Sequence, residues 1–165
     1  MRQRPELLHH PIVRQSPQRT RDALYGGRTE TMRLHCKAND IDETIQNVDV
    51  MSLYPYICKY FKLPVGHPVF HVGDVYRDIQ TCLRMEGLIK CSIIPPDKLY
   101  HPALPKRCIN KLMFCLCRTC VDTSSAECTH TDDEDRALTG TWILDEVRLT
   151  VEKGYRIIEI HEVYV

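Results

Sequence analysis

The stretch Asp49-Val50-Met51-Ser52-Leu53-Tyr54-Pro55 constrains this chain more than any other. It follows an apolar-alternating run over residues 44–48 and ends on a proline, which is expected to stop a strand or helix. An acidic residue at the end of a strand, followed by a Ser-Leu-Tyr-Pro turn, brings three kinds of group to one ligand. The Asp49 carboxylate can hold a metal ion, the backbone N–H groups of the turn can face a phosphate chain, and Tyr54 can stack on a sugar or flat ring. Together they suit half of a nucleotidyl-transfer site. Taken singly, an Asp capping a turn and a Tyr packed on a sheet are the more ordinary arrangements.

The rest of the chain must supply a core for that turn, and 165 residues suit one domain with a sizeable core. Net charge is zero but unevenly spread. Residues 1–37 hold eight Lys/Arg against three Asp/Glu, whereas residues 120–165 hold four against eleven. A basic start and an acidic end suit a nucleic-acid partner on one side only, or simply a solvated charged surface. No apolar run approaches the roughly 20 residues of a membrane span. The first twenty residues carry arginines and prolines but no apolar segment, so they do not read as a secretory signal. Nine cysteines without an export signal point to reduced thiols in an intracellular, non-secreted protein.

In chain order, residues 1–22 have no sustained period and read as a flexible basic arm. Gly26-Gly27 follows Tyr25, and paired glycines permit positive φ and close backbone approach to a ligand. Thr31-Met32-Arg33-Leu34-His35-Cys36 alternates apolar and polar, which predicts a half-buried strand. Turn chemistry over residues 39–42 would join it to a second strand over residues 45–50. A short helix is expected from Tyr56, then a Pro/Gly loop, Leu63-Pro64-Val65-Gly66-His67-Pro68. Val75, Ile79, Cys82 and Leu83 have helical spacing behind Asp74 as an N-cap. Leu88-Ile89-Lys90-Cys91-Ser92-Ile93-Ile94 predicts a third strand stopped by Pro95-Pro96. Residues 98–107 read as a loop, and so do the acidic residues 132–135. Residues 142–153 predict a helix with Asp145 and Glu146 in its first turn and Gly154 just past its end. Residues 155–165 close the chain as a long alternating strand. Four strands with few, short helices give an α+β fold with a mainly antiparallel sheet.

Cys108, Cys115, Cys117, Cys120, Cys128 and His130 fall within 23 residues. Cys117-x-x-Cys120 is a usual half of a tetrahedral zinc site, and Cys128-x-His130 could close it. Cys108 is an alternative fourth ligand, and Cys115 reads as a buried spare. The competing reading is a group of reduced core cysteines, because free Cys packs as a small hydrophobe.

Five specified positions in a seven-residue window carry a resemblance. Asp-x-x-Ser-Leu-Tyr-Pro resembles the first catalytic palm motif of family B DNA polymerases. The resemblance implies that Asp49, with the Val50 carbonyl beside it, holds catalytic Mg²⁺. It further implies that Ser52 and Leu53 contact the incoming triphosphate through their backbone, and that Tyr54 stacks on the deoxyribose and excludes a 2′-hydroxyl. The Leu63–Pro68 loop resembles one in the protein-primed branch of that family. Leu24-Tyr25-Gly26-Gly27-Arg28 resembles that branch's DNA-contacting Tyr-x-Gly-Gly motif, although here the tyrosine adjoins Gly26. Leu99-Tyr100-His101-Pro102-Ala103-Leu104-Pro105, Leu116-Cys117-Arg118-Thr119-Cys120, Cys128-Thr129-His130 and Leu138-Thr139-Gly140-Thr141-Trp142 are similar to polymerases of Maverick/Polinton-type self-synthesising transposons.

The implied organisation is a palm segment over residues 23–95, a Cys/His-rich insertion of the terminal-protein-binding kind over residues 96–141, and a helix and strand returning to the palm over residues 142–165. The implied partners are DNA template-primer, deoxynucleoside triphosphates and a terminal-protein primer, with nuclear localisation for a eukaryotic transposon. Two palm motifs of the family, Lys-x-x-x-Asn-Ser-x-Tyr-Gly and Tyr-x-Asp-Thr-Asp, do not occur in this sequence. With one carboxylate of the metal-binding pair missing, the chain is expected to be a fragment that is inactive alone. The alternative function is a non-catalytic, zinc-dependent DNA- or protein-binding module.

Overall fold

The computed structural model describes residues 20–29, 31, 33–39, 41–72, 78–108 and 111–165. It divides into two compact units, one formed by Met1–Tyr25 with Pro68–Val165 and the other by Gly26–His67.

The larger unit is built on a four-stranded antiparallel sheet of order β1-β6-β2-β5. Its strands are β1 (Phe70–Val72), β2 (Leu88–Ile94), β5 (Leu138–Ile143) and β6 (Arg156–Tyr164). The class is therefore α+β, as the sequence predicts, and both β2 and β6 lie where alternation places strands. β2 is central because it is apolar on one face throughout: Ile89, Cys91 and Ile93 are wholly buried. They pack with Trp142, Leu138, Leu144, Val147 and Val163 in one core cluster, each large side chain contributing about 1.5–3 kcal/mol by leaving water. Gly140 lies opposite Cys91, and a Cβ there would stand 2.7 Å from the Trp142 ring. The missing side chain is what lets the indole lie flat over β5.

The other face of β2 is polar and nearly as buried. Ser92 Oγ lies 2.8 Å from Thr139 Oγ1 and 2.9 Å from His161 Nε2, and Lys90 sits 3.9 Å from Glu162. The register shift between Lys90 and Cys91 leaves His161 without a ladder partner on β2, and its ring meets Ser92 there, as bulges commonly re-aim a side chain.

A two-stranded sheet, β3 (Pro105–Cys108) with β4 (Lys111–Phe114), stands beside the main sheet. The Trp142 indole N–H donates to the Pro105 carbonyl at 3.0 Å and ties the two together. Short helices complete this unit: α2 (Ile79–Cys82), α3 (Arg118–Thr123), α4 (Asp133–Arg136) and α5 (Leu144–Glu152). Among the described residues of the smaller unit, the regular element is α1 (Leu53–Tyr60). No helix among the described residues is long and apolar enough to cross a membrane.

Several local expectations are corrected. The described parts of residues 31–36 and 45–50 are irregular, and Leu34, Ile45 and Val48 are exposed. Alternation makes a strand available, but a strand forms only where another strand completes its ladder. Asn39 supplies the expected turn, its Oδ1 accepting from the N–H groups of Ile41, Asp42 and Glu43. Pro55 does not end an element. It occupies the first turn of α1, where a missing N–H costs nothing.

The Asp74 cap lies outside the described residues; α2 begins at Ile79, where the Asp78 carboxylate caps Gln80 and Thr81. Residues 98–107 are not all loop, because Pro105 opens β3, the strand position that tolerates proline. The acidic run is likewise helical, since Asp133, Glu134 and Asp135 form the first turn of α4, where carboxylates match the helix dipole. Trp142 belongs to β5, and α5 starts at Leu144 with Asp145 and Glu146 in its first turn. Gly154 follows α5 at φ 91. Of the arm expected over residues 1–22, residues 1–19 lie outside the described residues, and residues 20–22 belong instead to a short 3-10 helix, Thr20–Ala23, whose Ala23 is buried.

Candidate functional site

In the smaller unit, Asp49 and Val50 are exposed and precede a turn at Met51-Ser52. Ser52 takes a left-handed conformation, φ 59 and ψ 29, and its side chain makes no capping bond. The first intrahelical bond runs from the Tyr56 N–H to the Ser52 carbonyl at 3.0 Å. Pro55 has no N–H, so Leu53 and Tyr54 carry the unpaired first-turn donors of α1 among the described residues. Such donors, at the positive end of a helix, suit an anion. Tyr54 is 81% exposed, which leaves its ring face open to stacking. Asp49 has no carboxylate, Cys or His partner in the metal-capable grouping found among the described residues. Among the described residues Asp49 thus stands as a single exposed carboxylate, with the Val50 backbone carbonyl beside it, oxygen donors of the kind that suit a hard cation.

The second site is in the larger unit. β4 delivers the chain to Cys117, the N-cap residue of α3. The x-x spacing then places Cys120 one turn on, over the same side. Ser124 ends α3 in a left-handed conformation at φ 55, and the Ser125 N–H returns to the Cys120 carbonyl at 2.9 Å. That reversal brings Cys128-x-His130 back over α3. His130 Nδ1 lies 3.4 Å from Cys120 Sγ, 3.6 Å from Cys117 Sγ and 3.9 Å from Cys128 Sγ. All four ligand atoms lie within 4.8 Å of one another. A tetrahedron with Zn–S about 2.3 Å and Zn–N about 2.0–2.1 Å has edges of about 3.5–3.8 Å, which the separations from His130 to Cys117 and Cys120 approach, while the widest separation, within 4.8 Å, would close on a bound ion.

The electrostatics agree with the geometry. Hydrogen bonding to His130 lowers the Cys128 thiol to about 7, and burial raises its Cys120 neighbour. Thiolates are the form that binds a metal, and a divalent ion among these sulfurs would offset their charge. Cys108 stands apart, its Sγ donating to the Val121 carbonyl at 3.7 Å. Cys115 is buried, and desolvation pushes its thiol to about 11.

The Tyr25-Gly26-Gly27-Arg28 stretch divides between the units. Tyr25 is half-buried against the core of the larger unit, with the Arg107 guanidinium 5.3 Å above its ring. Arg107 also donates to the Leu24 carbonyl at 2.7 Å. Burial raises the Tyr25 phenol. Gly26, at φ 85, and Gly27 have open space around them, and Arg28 is exposed.

Sequence reading missed Arg136. It is 8% exposed, pairs with Asp97, and donates to the carbonyls of Pro95 and Pro96 at 3.1 and 3.0 Å. An arginine closing an acidic run, just before an apolar strand, was the available signal.

No curated protein and no solved structure matches the chain. Residues 8–165 match the family model of DNA polymerase type B, organellar and viral. That match spans both units and every residue of the two sites, so the chain is a member of the organellar and viral type B DNA polymerases.

Proposed function

We propose that this chain supplies the first metal-binding carboxylate and the nucleotide-binding turn of a protein-primed DNA-directed DNA polymerase of transposon type. The observation that carries the reading is the Asp49–Pro55 turn, with a free carboxylate, two unpaired helix N–H donors and an exposed tyrosine within six residues. Asp49 and the Val50 carbonyl would hold Mg²⁺. When bound, that ion would offset triphosphate charge and favour attack by the primer's 3′-hydroxyl.

The chain's own residues do the positioning. The Leu53 and Tyr54 N–H groups would hold phosphate oxygens, and the left-handed Ser52 would aim them. Tyr54 would lie against the deoxyribose, where a 2′-hydroxyl would meet its ring. Gly26, Gly27 and Arg28 would track template-primer DNA, with Tyr25 as their anchor. The insertion over residues 96–141 would face a terminal-protein primer, and a eukaryotic transposon would place the reaction in the nucleus.

Phosphoryl transfer by two ions needs a second carboxylate on another strand, and this chain alone is expected not to extend a primer. Purified chain given primer-template, deoxynucleoside triphosphates and Mg²⁺ should yield no extended product; robust metal-dependent extension would contradict the one-carboxylate reading.

A second reading, a zinc-dependent DNA- or protein-binding module, is favoured by the Cys117/Cys120/Cys128/His130 geometry. These residues fit Zn²⁺ by donor type and by spacing. Zinc-dependent, salt-sensitive DNA affinity indifferent to Asp49→Asn would favour it.

A further inference from the structure

We infer that a zinc ion held by Cys117, Cys120, Cys128 and His130 is a structural clasp that orders residues 117–136 and, through them, seats Arg136 over the end of β2. The inference rests on the reading of this cluster as a zinc site and says what the metal does there.

Apolar burial holds this segment only in part: Cys117 is buried at its start, and Val121 packs, partly buried, against the core cluster. α3 buries no residue, and the residue buried in α4 is Arg136, a charge. What joins α3 to α4 is polar and converges on two carbonyls beside the cluster. Thr119 Oγ1 donates to the Asp135 carbonyl at 2.8 Å, with Cys117 Sγ 3.8 Å from the same oxygen. Arg118 donates to the Glu134 carbonyl at 2.8 Å.

The next residue is Arg136, whose guanidinium closes off Pro95 and Pro96 at the end of β2. A chain of contacts thus runs from the sulfurs to the sheet. Four protein ligands fill a tetrahedral shell and leave no open position, the pattern of a structural rather than a catalytic zinc. A site absent from the unfolded chain also makes metal binding part of its folding. Cys108 stands outside the shell, so the ligand set is fixed as three cysteines and one histidine.

The test uses the full chain. Metal content is measured on the purified protein and on Cys128→Ser, Cys108→Ser and His130→Cys. Amide exchange and tryptic cleavage after Arg136 are then followed before and after chelation. The expected result is one zinc per chain, lost in Cys128→Ser but kept in Cys108→Ser and in His130→Cys, whose four-sulfur shell still suits zinc. Chelation should strip exchange protection from residues 117–137 and open the Arg136 cleavage, while β2 and β6 stay protected. Folded wild type without zinc, or zinc retained in Cys128→Ser, would overturn the zinc reading and the clasp with it. Zinc that binds as expected, but whose removal leaves residues 117–137 unchanged or unfolds the sheet equally, would overturn the clasp alone.

Discussion

At the scale of single residues, the backbone is under most constraint where side chains are smallest. Gly87 sits at φ +143, and a Cβ there would fall 1.9 Å from the Tyr164 carbonyl oxygen. Both the conformation and the space exclude a side chain. Gly87→Ala is expected to destabilise the larger unit by more than about 2 kcal/mol, read from urea midpoints, because backbone must move to accept it.

His161 makes a prediction in pH. It is half-buried beside Ser92, with Glu159, Lys90 and Glu162 facing it, and burial lowers its proton affinity. A histidine whose folded pKa lies below its unfolded value binds protons more readily when unfolded. Its contribution is therefore present at neutral pH and is lost as pH falls below the unfolded value of about 6.5. His161→Gln keeps a hydrogen-bonding partner for Ser92 and should flatten that part of the stability profile. A wild-type profile with the same slope as the variant would refute this account of His161.

At the scale of elements, Trp142 bridges two sheets. Trp142→Phe would keep most of the apolar burial but leave the Pro105 carbonyl without its indole donor. The expected cost is about 1–3 kcal/mol, the penalty for an unmet buried polar group, with hairpin β3–β4 loosening first in amide exchange.

The same strand shows what the sequence could and could not reveal. β2 and β6 were legible because they are long and their alternation spans a whole element. α5 was legible from its acidic first turn and trailing glycine. β5 was not: Leu138-Thr139-Gly140-Thr141-Trp142 has a glycine that weakens strand propensity, and its reason, the ring of Trp142, is a contact within the folded strand. Residues 31–36 and 45–50 erred the other way, having the alternation of strands without a ladder to join. The Cys/His site was half legible. Cys117-x-x-Cys120 announces a ligand pair, but only the left-handed turn at Ser124 decides that Cys128 and His130, rather than Cys108, come back to it.

At the scale of the whole molecule, the chain belongs to the organellar and viral type B DNA polymerases and carries two candidate metal centres of opposite chemistry. One offers hard oxygen ligands in an exposed turn, suited to a labile ion shared with a nucleotide. The other offers three sulfurs and an imidazole in a partly enclosed knuckle, suited to a permanent one. They lie in different units, so loss of one need not disturb the other. Stripping zinc should leave nucleotide binding at Asp49 intact, and Asp49→Asn should leave zinc content unchanged.

The turn is therefore best tested by magnesium-dependent binding of a deoxynucleoside triphosphate, by titration calorimetry, to the wild-type chain and to Asp49→Asn. Wild type should bind only with Mg²⁺ present, and the substitution should weaken binding at least about tenfold, the lower end of the cost of disturbing a metal shell. Equal affinity in the two proteins would show that Asp49 does not hold the metal and would contradict the assignment of the turn.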